Sequence, residues 1–390
     1  MWVRLIKSLV AAAMVLASVV AGSPAAQSRI SAQPVCVDTR APDRAFCQSL
    51  VRTDVPAIRV LQPRQLPAGY GPQEIHSAYG LPYAGPGATV AITIAYHNPN
   101  LESDLAVYRS QFGLAPCTKA NGCLRVVNQS GQPSPLPATV DPGWAMEEAL
   151  DVDAVSAACP QCRILVVEAA GNLTSSLLAA VDQAVAQGAK FVANSWGASE
   201  YSGEGSLDSH FRNRPGVAFT FASGDTGGQT LYPSASPYVT SVGGTTLSRS
   251  STGRFAESAW SGSGNGCSAF EPKPLFQHDG FCPSKRTTAD ASADANPATG
   301  LAVYDTVPFN GRSGWVIVGG TSLAAPLIAG MYALAGTPAA GTYPNSYPYA
   351  HPQNFYDIVT SCAGTFCAGT GYDPPTGIGA PRGLLGLRAS

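Results

Sequence analysis

Charge is scarce in this chain. Of its 390 residues only 48 are charged, 23 Lys or Arg and 25 Asp or Glu, about half the usual globular fraction. The net charge is −2 and no run of five like charges occurs. The electrostatic footprint that a nucleic acid or an anionic membrane surface needs is therefore missing, and neither is expected as a partner. Histidine is scarcer still: His76, His97, His210, His278 and His351 are the whole supply. None sits in a His-Gly-Thr-His type helix start, and the first strand ends Ala95-Tyr96-His97 without an aspartate, so the usual base for a serine nucleophile has no evident source. Cys159-Pro-Gln-Cys162 lacks a second pair of ligands nearby, which argues against zinc. Beyond residue 26 no segment is long and apolar enough to span a bilayer.

What is present is apolar material for a large core, 45 % of the chain, with 41 glycines and 32 prolines for ordered turns. Residues 1–26 open with Arg4 and Lys7, continue through LVAAAMVLASVVAG and end in small residues around Ser23, Pro24, Ala25 and Ala26. That is the layout of a secretory signal peptide, so a secreted, extracellular or periplasmic, protein is expected. The ten cysteines fall as five sequence neighbours: Cys36 with Cys47, Cys117 with Cys123, Cys159 with Cys162, Cys267 with Cys282, Cys362 with Cys367. On an exported chain they read as five local disulfides.

Residues 27–68 are rich in Pro, Arg and Gln without sustained periodicity and read as a short irregular N-terminal extension. From residue 69 onward β-branched runs alternate with helical stretches, the opening of an α/β domain. Strands are expected at 89–95, 163–168, 190–195, 217–222, 239–242 and 315–318, helices at 100–112, 145–158, 175–187 and 322–334. Fully apolar strands such as RILVVEA suit a parallel sheet covered on both faces. With no internal repeat and no second linker, one doubly wound domain over 69–387 is expected, with the Gly, Ser and Asn cluster at 261–266 as a surface excursion.

Three short elements can carry chemistry. In Gly319-Gly320-Thr321-Ser322-Leu323-Ala324-Ala325-Pro326 a serine stands where a glycine turn hands over to a buried helix; its backbone N–H groups suit an anion, and Ser322 serves equally as a helix cap. Glu147 and Asp151 are i and i+4 on one helical face that continues through Ala154, Val155 and Ala158. That pair points inward, while Glu148 and Asp153 are less constrained. Two carboxylates forced together at low dielectric share a proton and give a base fit for acidic conditions; the plainer alternative is an exposed acidic face. In Phe221-Ala222-Ser223-Gly224-Asp225-Thr226-Gly227-Gly228 a strand runs into a glycine-rich turn with Asp225 at its tip, either a turn former or, if neutral, a hydrogen-bond donor to a developing oxyanion.

EEALD, SGDTG and GGTSLAAP in this order resemble the sedolisin family of serine-carboxyl peptidases, relatives of subtilisin by fold. Asn194-Ser195-Trp196-Gly197, Tyr232-Pro233-Ser234, Val242-Gly243-Gly244-Thr245 and Asp290-Ala291-Ser292 look familiar too, so the resemblance covers roughly residues 69–387. It implies a subtilisin-like fold and acyl transfer on polypeptide substrates in acid by a monomer. In that reading Ser322 is the nucleophile, Glu147 the general base and acid, Asp151 the residue orienting Glu147, and Asp225 part of the oxyanion hole. It also implies one structural Ca²⁺ near the C-terminus, for which Asp357-Ile358 and Gly369-Thr370-Gly371-Tyr372-Asp373 supply oxygen ligands from Asp357, Ile358, Gly369, Gly371 and Asp373. Family precursors carry a large prodomain, whereas about 40 residues separate signal and catalytic region here. That leaves control of activity open and motivates an alternative, a catalytically silent binding protein of the same fold. A glycosidase fits poorly, because carboxylates on one helical face cannot flank a sugar ring. His97 and Asn98 read as surface loop residues without a role.

Overall fold

The central sheet of the computed structural model has the order Phe255–Ala259, Thr240–Arg249, Ala218–Ala222, Phe191–Asn194, Thr89–Ala95, Arg163–Ala169, Leu124–Asn128, with Ala291–Asp294 branching off Thr240–Arg249. Every pairing in it is parallel except that of the edge strand Phe255–Ala259. The expected doubly wound, subtilisin-like α/β sheet is therefore the observed one. Thr89–Ala95 and Arg163–Ala169 match residue for residue over their whole length, Thr89 opposite Arg163 to Ala95 opposite Ala169. All but their first residues are buried, which is why both read as continuous apolar runs rather than alternating ones. The structure describes residues 30–62 and 64–389, so the expected signal segment lies outside it; residues from Ser31 onward form one unit.

Chain order reverses at Thr89–Ala95: the chain goes on to Leu124–Asn128 and Arg163–Ala169 on one side and returns to Phe191–Asn194 on the other. Such a switch opens a crevice beyond the carboxyl ends of the strands, where α/β proteins place their sites. Two buried helices cross here. Pro142–Ala158 begins at Asp141, whose carboxylate accepts from the N–H groups of Gly143 and Trp144, and has Pro142 at its first position. Thr321–Ala335 is buried along its entire length. The two pack closely enough that a Cβ on Gly330 would lie 2.9 Å from that of Ala158.

The extension expected to be irregular is built into the body instead. Ala32–Pro34 pairs with Leu50–Arg52, Leu50–Arg52 with Arg312–Gly319, and Phe46–Cys47 with Trp196–Ser199. Arg312–Gly319 is longer than expected and forms a hairpin with Leu301–Phe309. The cluster at 261–266 is no surface excursion: Ser263 is fully buried, accepting from the N–H of Gly244 and donating to the carbonyl of Pro375. Asn98 is buried too, donating to Ala145 and accepting from the N–H of Asn100, while His97 pairs with the buried Glu168 at 2.8 Å. All ten cysteines pair as neighbours.

Candidate active site

Ser322 is the second residue of its helix, following Gly320 at φ +104°. Pro326, four residues on, has no N–H to give, so the carbonyl of Ser322 is left free within the helix. The hydroxyl of Ser195 lies 3.2 Å from it and 2.6 Å from Asp151 Oδ1, its one proton shared between these two acceptors. In return Ser322 Oγ donates to the carbonyl of Ser195 at 3.0 Å. Ser195, quoted above only as part of a familiar stretch, is thus the joint between the serine helix and the carboxylate helix.

The i, i+4 spacing brings Glu147 and Asp151 to this joint, both with no exposed surface. Neither carboxyl oxygen of Glu147 has a hydrogen-bond partner of normal length. Burial pushes its pKa up to about 8, the nearby hydroxyls of Ser322 and Ser49 pull it down, and the charge of Asp225 adds to the rise. Asp151 is held well above the carboxylate range by burial and by Glu147, against the bond from Ser195. Glu148 and Asp153 are no freer: both are buried and pushed up in the same way. The helix is enclosed on every side, so helical spacing alone could not separate its four acids into inner and outer ones.

The turn after Ala218–Ala222 carries Asp225 to the start of the serine helix. Its Oδ1 accepts from the N–H of Thr321 at 2.7 Å and from the Thr321 hydroxyl at 2.9 Å. Its Oδ2 is buried without a partner, and burial lifts its pKa to about 7 in spite of the Thr321 bonds.

A residue absent from the sequence reading completes the site. The carbonyl of Gln48 accepts from the N–H of Ser322 at 2.8 Å, and its N–H donates to Ser322 Oγ at 2.9 Å and to the carbonyl of Ser195 at 3.1 Å. A Cβ on Gly320 would fall 2.2 Å from the Gln48 carbonyl oxygen and 2.5 Å from Asp225 Oδ2. Those two oxygens therefore flank one point, with the Ser322 N–H beside them. Nothing in the composition of residues 27–68 signals this, since the contact spans 274 residues of sequence.

The C-terminal residues lie elsewhere in the unit. Asp357 accepts from the N–H of Gly371 at 3.0 Å, and Asp373 accepts from Gly369 and from Thr376. Asp373 is raised to about 6, chiefly by burial and in part by the charge of Asp357. Asp357 stands before the Cys362–Cys367 hairpin and Asp373 after it, and both accept from N–H groups of the 369–371 glycine loop.

Comparison with known proteins finds peptidases among the relatives of this chain. A model of the subtilase family matches residues 87–346. Kumamolisin from Bacillus sp. (strain MN-32) is 30 % identical over 83 % of this chain and 64 % of its own length. Sedolisin from Pseudomonas sp. (strain 101) is 28 % identical over 80 % of this chain and 60 % of its own length. The chain thus spans less than two thirds of the curated relatives it matches. Among solved structures, Pseudomonas sedolisin complexed with pseudo-iodotyrostatin superposes with a TM-score of 0.68 at 27 % identity, covering 82 % of this chain and 96 % of that one. Sphericase, at 19 % identity and a TM-score of 0.52, shares the fold. With its serine, its carboxylate pair and its turn aspartate meeting at one crevice, the chain belongs to the subtilase family and, within it, to the sedolisins.

Proposed function

We propose that the protein is a secreted serine-carboxyl endopeptidase that hydrolyses polypeptides in acid through an acyl-enzyme. The observation that carries this reading is the carbonyl on the Ser322 N–H, facing the unpartnered Oδ2 of Asp225. With a substrate carbonyl there, Ser322 Oγ attacks its carbon and Glu147 takes the hydroxyl proton. Asp151, fixed by Ser195, holds Glu147 and its proton in place. The oxyanion is met by the Ser322 N–H and by Asp225, which must carry a proton to donate. Glu147 then delivers its proton to the leaving amine, and water, activated by Glu147 in turn, releases the acyl group. Each oxyanion donor contributes about 3 kcal/mol.

Low pH enters through Asp225. A neutral carboxyl donates and an anion repels the charge it should stabilise, so activity is expected to fall above about pH 7, where Asp225 loses its proton. A neutral Asp225 also removes a charge that helps to raise Glu147, so the active form carries a proton on Asp225 and has Glu147 as the carboxylate that accepts from Ser322. Five disulfides and the expected signal segment support secretion. No helix among the described residues is long and apolar enough to cross a membrane. The test is hydrolysis of denatured casein by the purified chain, Ser322→Ala and Glu147→Ala in acidic buffer. Both variants should fall to background; undiminished hydrolysis by either one defeats the assignment.

We also propose one structural Ca²⁺ held by the carboxylates of Asp357 and Asp373 with carbonyls of Ile358, Gly369 and Gly371. Two carboxylates that both accept from N–H groups of one glycine loop, Asp373 being raised chiefly by burial and in small part by the charge of Asp357, suit a hard divalent cation, which would supply charge neutralisation there. A chelator should lower the thermal midpoint of the native protein and leave that of Asp373→Asn unchanged; equal midpoints for the native protein with and without chelator would exclude the ion.

A further inference from the structure

The helix Pro142–Ala158 buries four acids, and the mechanism above uses two of them. Glu148 is a third, without exposed surface and with both carboxyl oxygens unpartnered. It precedes Asp151 by three residues, so the two are neighbours on the helix surface. Asp151 likewise keeps Oδ2 buried and unpartnered. Burial above all holds Glu148 well above the carboxylate range. Charge adds to this from Glu168 in the sheet, from Asp151 and from Asp305 in the hairpin, and Lys119, in the loop before Leu124–Asn128, opposes it.

The turn after Thr89–Ala95 connects this helix to solvent. Asn98 docks the turn on the helix, its side chain donating to the carbonyl of Ala145 at 3.1 Å. Ala145 lies three residues before Glu148, whose side chain leans back toward it. The other residue of the turn, His97, holds Glu168, with Nδ1 2.8 and 2.9 Å from its two oxygens. Glu168 stands opposite Ile94 near the carboxyl end of its strand and has no exposed surface, whereas the His97 side chain is 23 % exposed. Burial lifts Glu168 to about 7, against His97, Lys119 and the N–H of Asn98. A row of groups thus leads away from Ser322, through Glu147, Asp151, Glu148 and Glu168 to His97, and only the last of them reaches solvent.

The reaction has a use for such a row. Burial lifts Glu147 to about 8, so in acid it rests with a proton that it must shed before it can accept one from Ser322. Ser322, Glu147 and Asp151 have no exposed surface, so water cannot take that proton from them directly. We propose that Glu148, Glu168 and His97 form a proton relay that carries the proton of Glu147 out to solvent and back. The proposal rests on the peptidase reading above and adds three positioning residues to it, none of which touches substrate. Each carboxyl takes a proton on one oxygen as it releases one from the other: Glu147 to Asp151, Asp151 to Glu148, Glu148 to Glu168. With no hydrogen bond to break, the Glu148 carboxyl is free to turn between Asp151 and Glu168, a torsion with a broad minimum. The proton arriving on Glu168 cancels the charge facing His97, which gives one up to water from its other ring nitrogen. Glu147 is then a carboxylate and one proton is in solvent; uptake at His97 reverses the sequence.

Native chain, His97→Ala and Glu148→Gln, each purified whole, are compared on casein at about pH 6, where added imidazole is partly neutral and can carry a proton. His97→Ala should lower kcat by at least roughly 10-fold with KM unchanged, short of the ~10²–10⁴-fold that belongs to a direct proton acceptor. Imidazole, entering the space left by the ring, should restore kcat in proportion to its concentration. Guanidinium, which supplies the same charge and keeps its protons, should not. Glu148→Gln cannot pass a proton from inside the row, so it should lose as much and gain nothing from imidazole. His97 lies at the surface, so its variant decides the matter alone should Glu148→Gln not fold. Three results with His97→Ala overturn the relay and leave the peptidase reading standing: a native kcat, a loss that imidazole does not restore, or a loss that guanidinium restores equally. A folded Glu148→Gln that keeps native kcat or responds to imidazole does the same. A native chain that leaves casein intact, or whose hydrolysis survives Ser322→Ala, overturns both.

Discussion

Asp225 is bound on one oxygen and idle on the other. Thr321 occupies Oδ1 twice, which leaves Oδ2 buried without a partner near the Gln48 carbonyl oxygen. An asparagine could keep both roles, its oxygen accepting from Thr321 and its NH₂ donating to the oxyanion, and an amide does not ionise. Asp225→Asn should therefore retain most activity in acid and lose the fall in kcat above about pH 7 that ionisation of the native carboxyl produces. Asp225→Ala removes the donor and should lower kcat by about 10²–10³-fold at every pH. A pH–rate profile of the three proteins checks this; an Asn variant whose upper limb still falls with the native midpoint would assign that limb to another group. The position of Asp225 was partly legible in the sequence, where a strand running into a glycine turn marks an aspartate at a tip. What it faces was not, because the facing carbonyl comes from residue 48.

At the scale of elements, the site depends on how closely two helices approach. Gly330 of the serine helix meets Ala158 of the carboxylate helix, with 2.9 Å from an added Cβ to the existing one. A methyl–methyl approach that short forces the helices apart, and Ser322 and Glu147 sit on the two that move. Gly330→Ala gains about 1 kcal/mol of helix propensity against an overpacking cost of about 1–3 kcal/mol. It should unfold at a slightly lower temperature and lose kcat more than KM, since near-attack geometry suffers first. Adding Ala158→Gly returns the space and should restore kcat. Thermal melts and casein kinetics on the single and double variants test this, and a double variant no better than the single one would count against it. Both helices were readable from the chain, one from EEALD within an apolar stretch and one from SLAAPLIAGMYAL. The strands Ala32–Pro34, Phe46–Cys47 and Leu50–Arg52 were not. Each is too short for a period to show, and each owes its conformation to a partner strand rather than to its own residues.

Over the whole molecule the scarcity of charge acquires a cause. Many of the 25 acids are buried rather than paired with cations. Glu148, Asp151, Asp153 and Asp294 are held well above the carboxylate range, and burial leads the causes in each. Glu257 and Asp305 are lifted to about 7, again by burial first. Each such group binds its proton more tightly folded than unfolded. Between the ordinary carboxylate pKa, about 4, and these raised values the native state holds protons the unfolded chain has released, so stability falls as pH rises. For Asp225 alone a pKa near 7 corresponds to roughly 4 kcal/mol lost across that window. The thermal midpoint should thus be highest near pH 4 and decline steadily toward pH 8, the reverse of a protein held by salt-bridged carboxylates. Glu257→Gln, which keeps the hydrogen bonds to Tyr79 and Thr245 within reach but cannot ionise, should flatten part of that decline. Calorimetry across the range measures both. A midpoint that climbs from pH 4 to pH 8 would mean that the few exposed ion pairs, such as Arg52 with Asp54, outweigh the buried acids, and that the sparse charge of this chain has no bearing on life in acid.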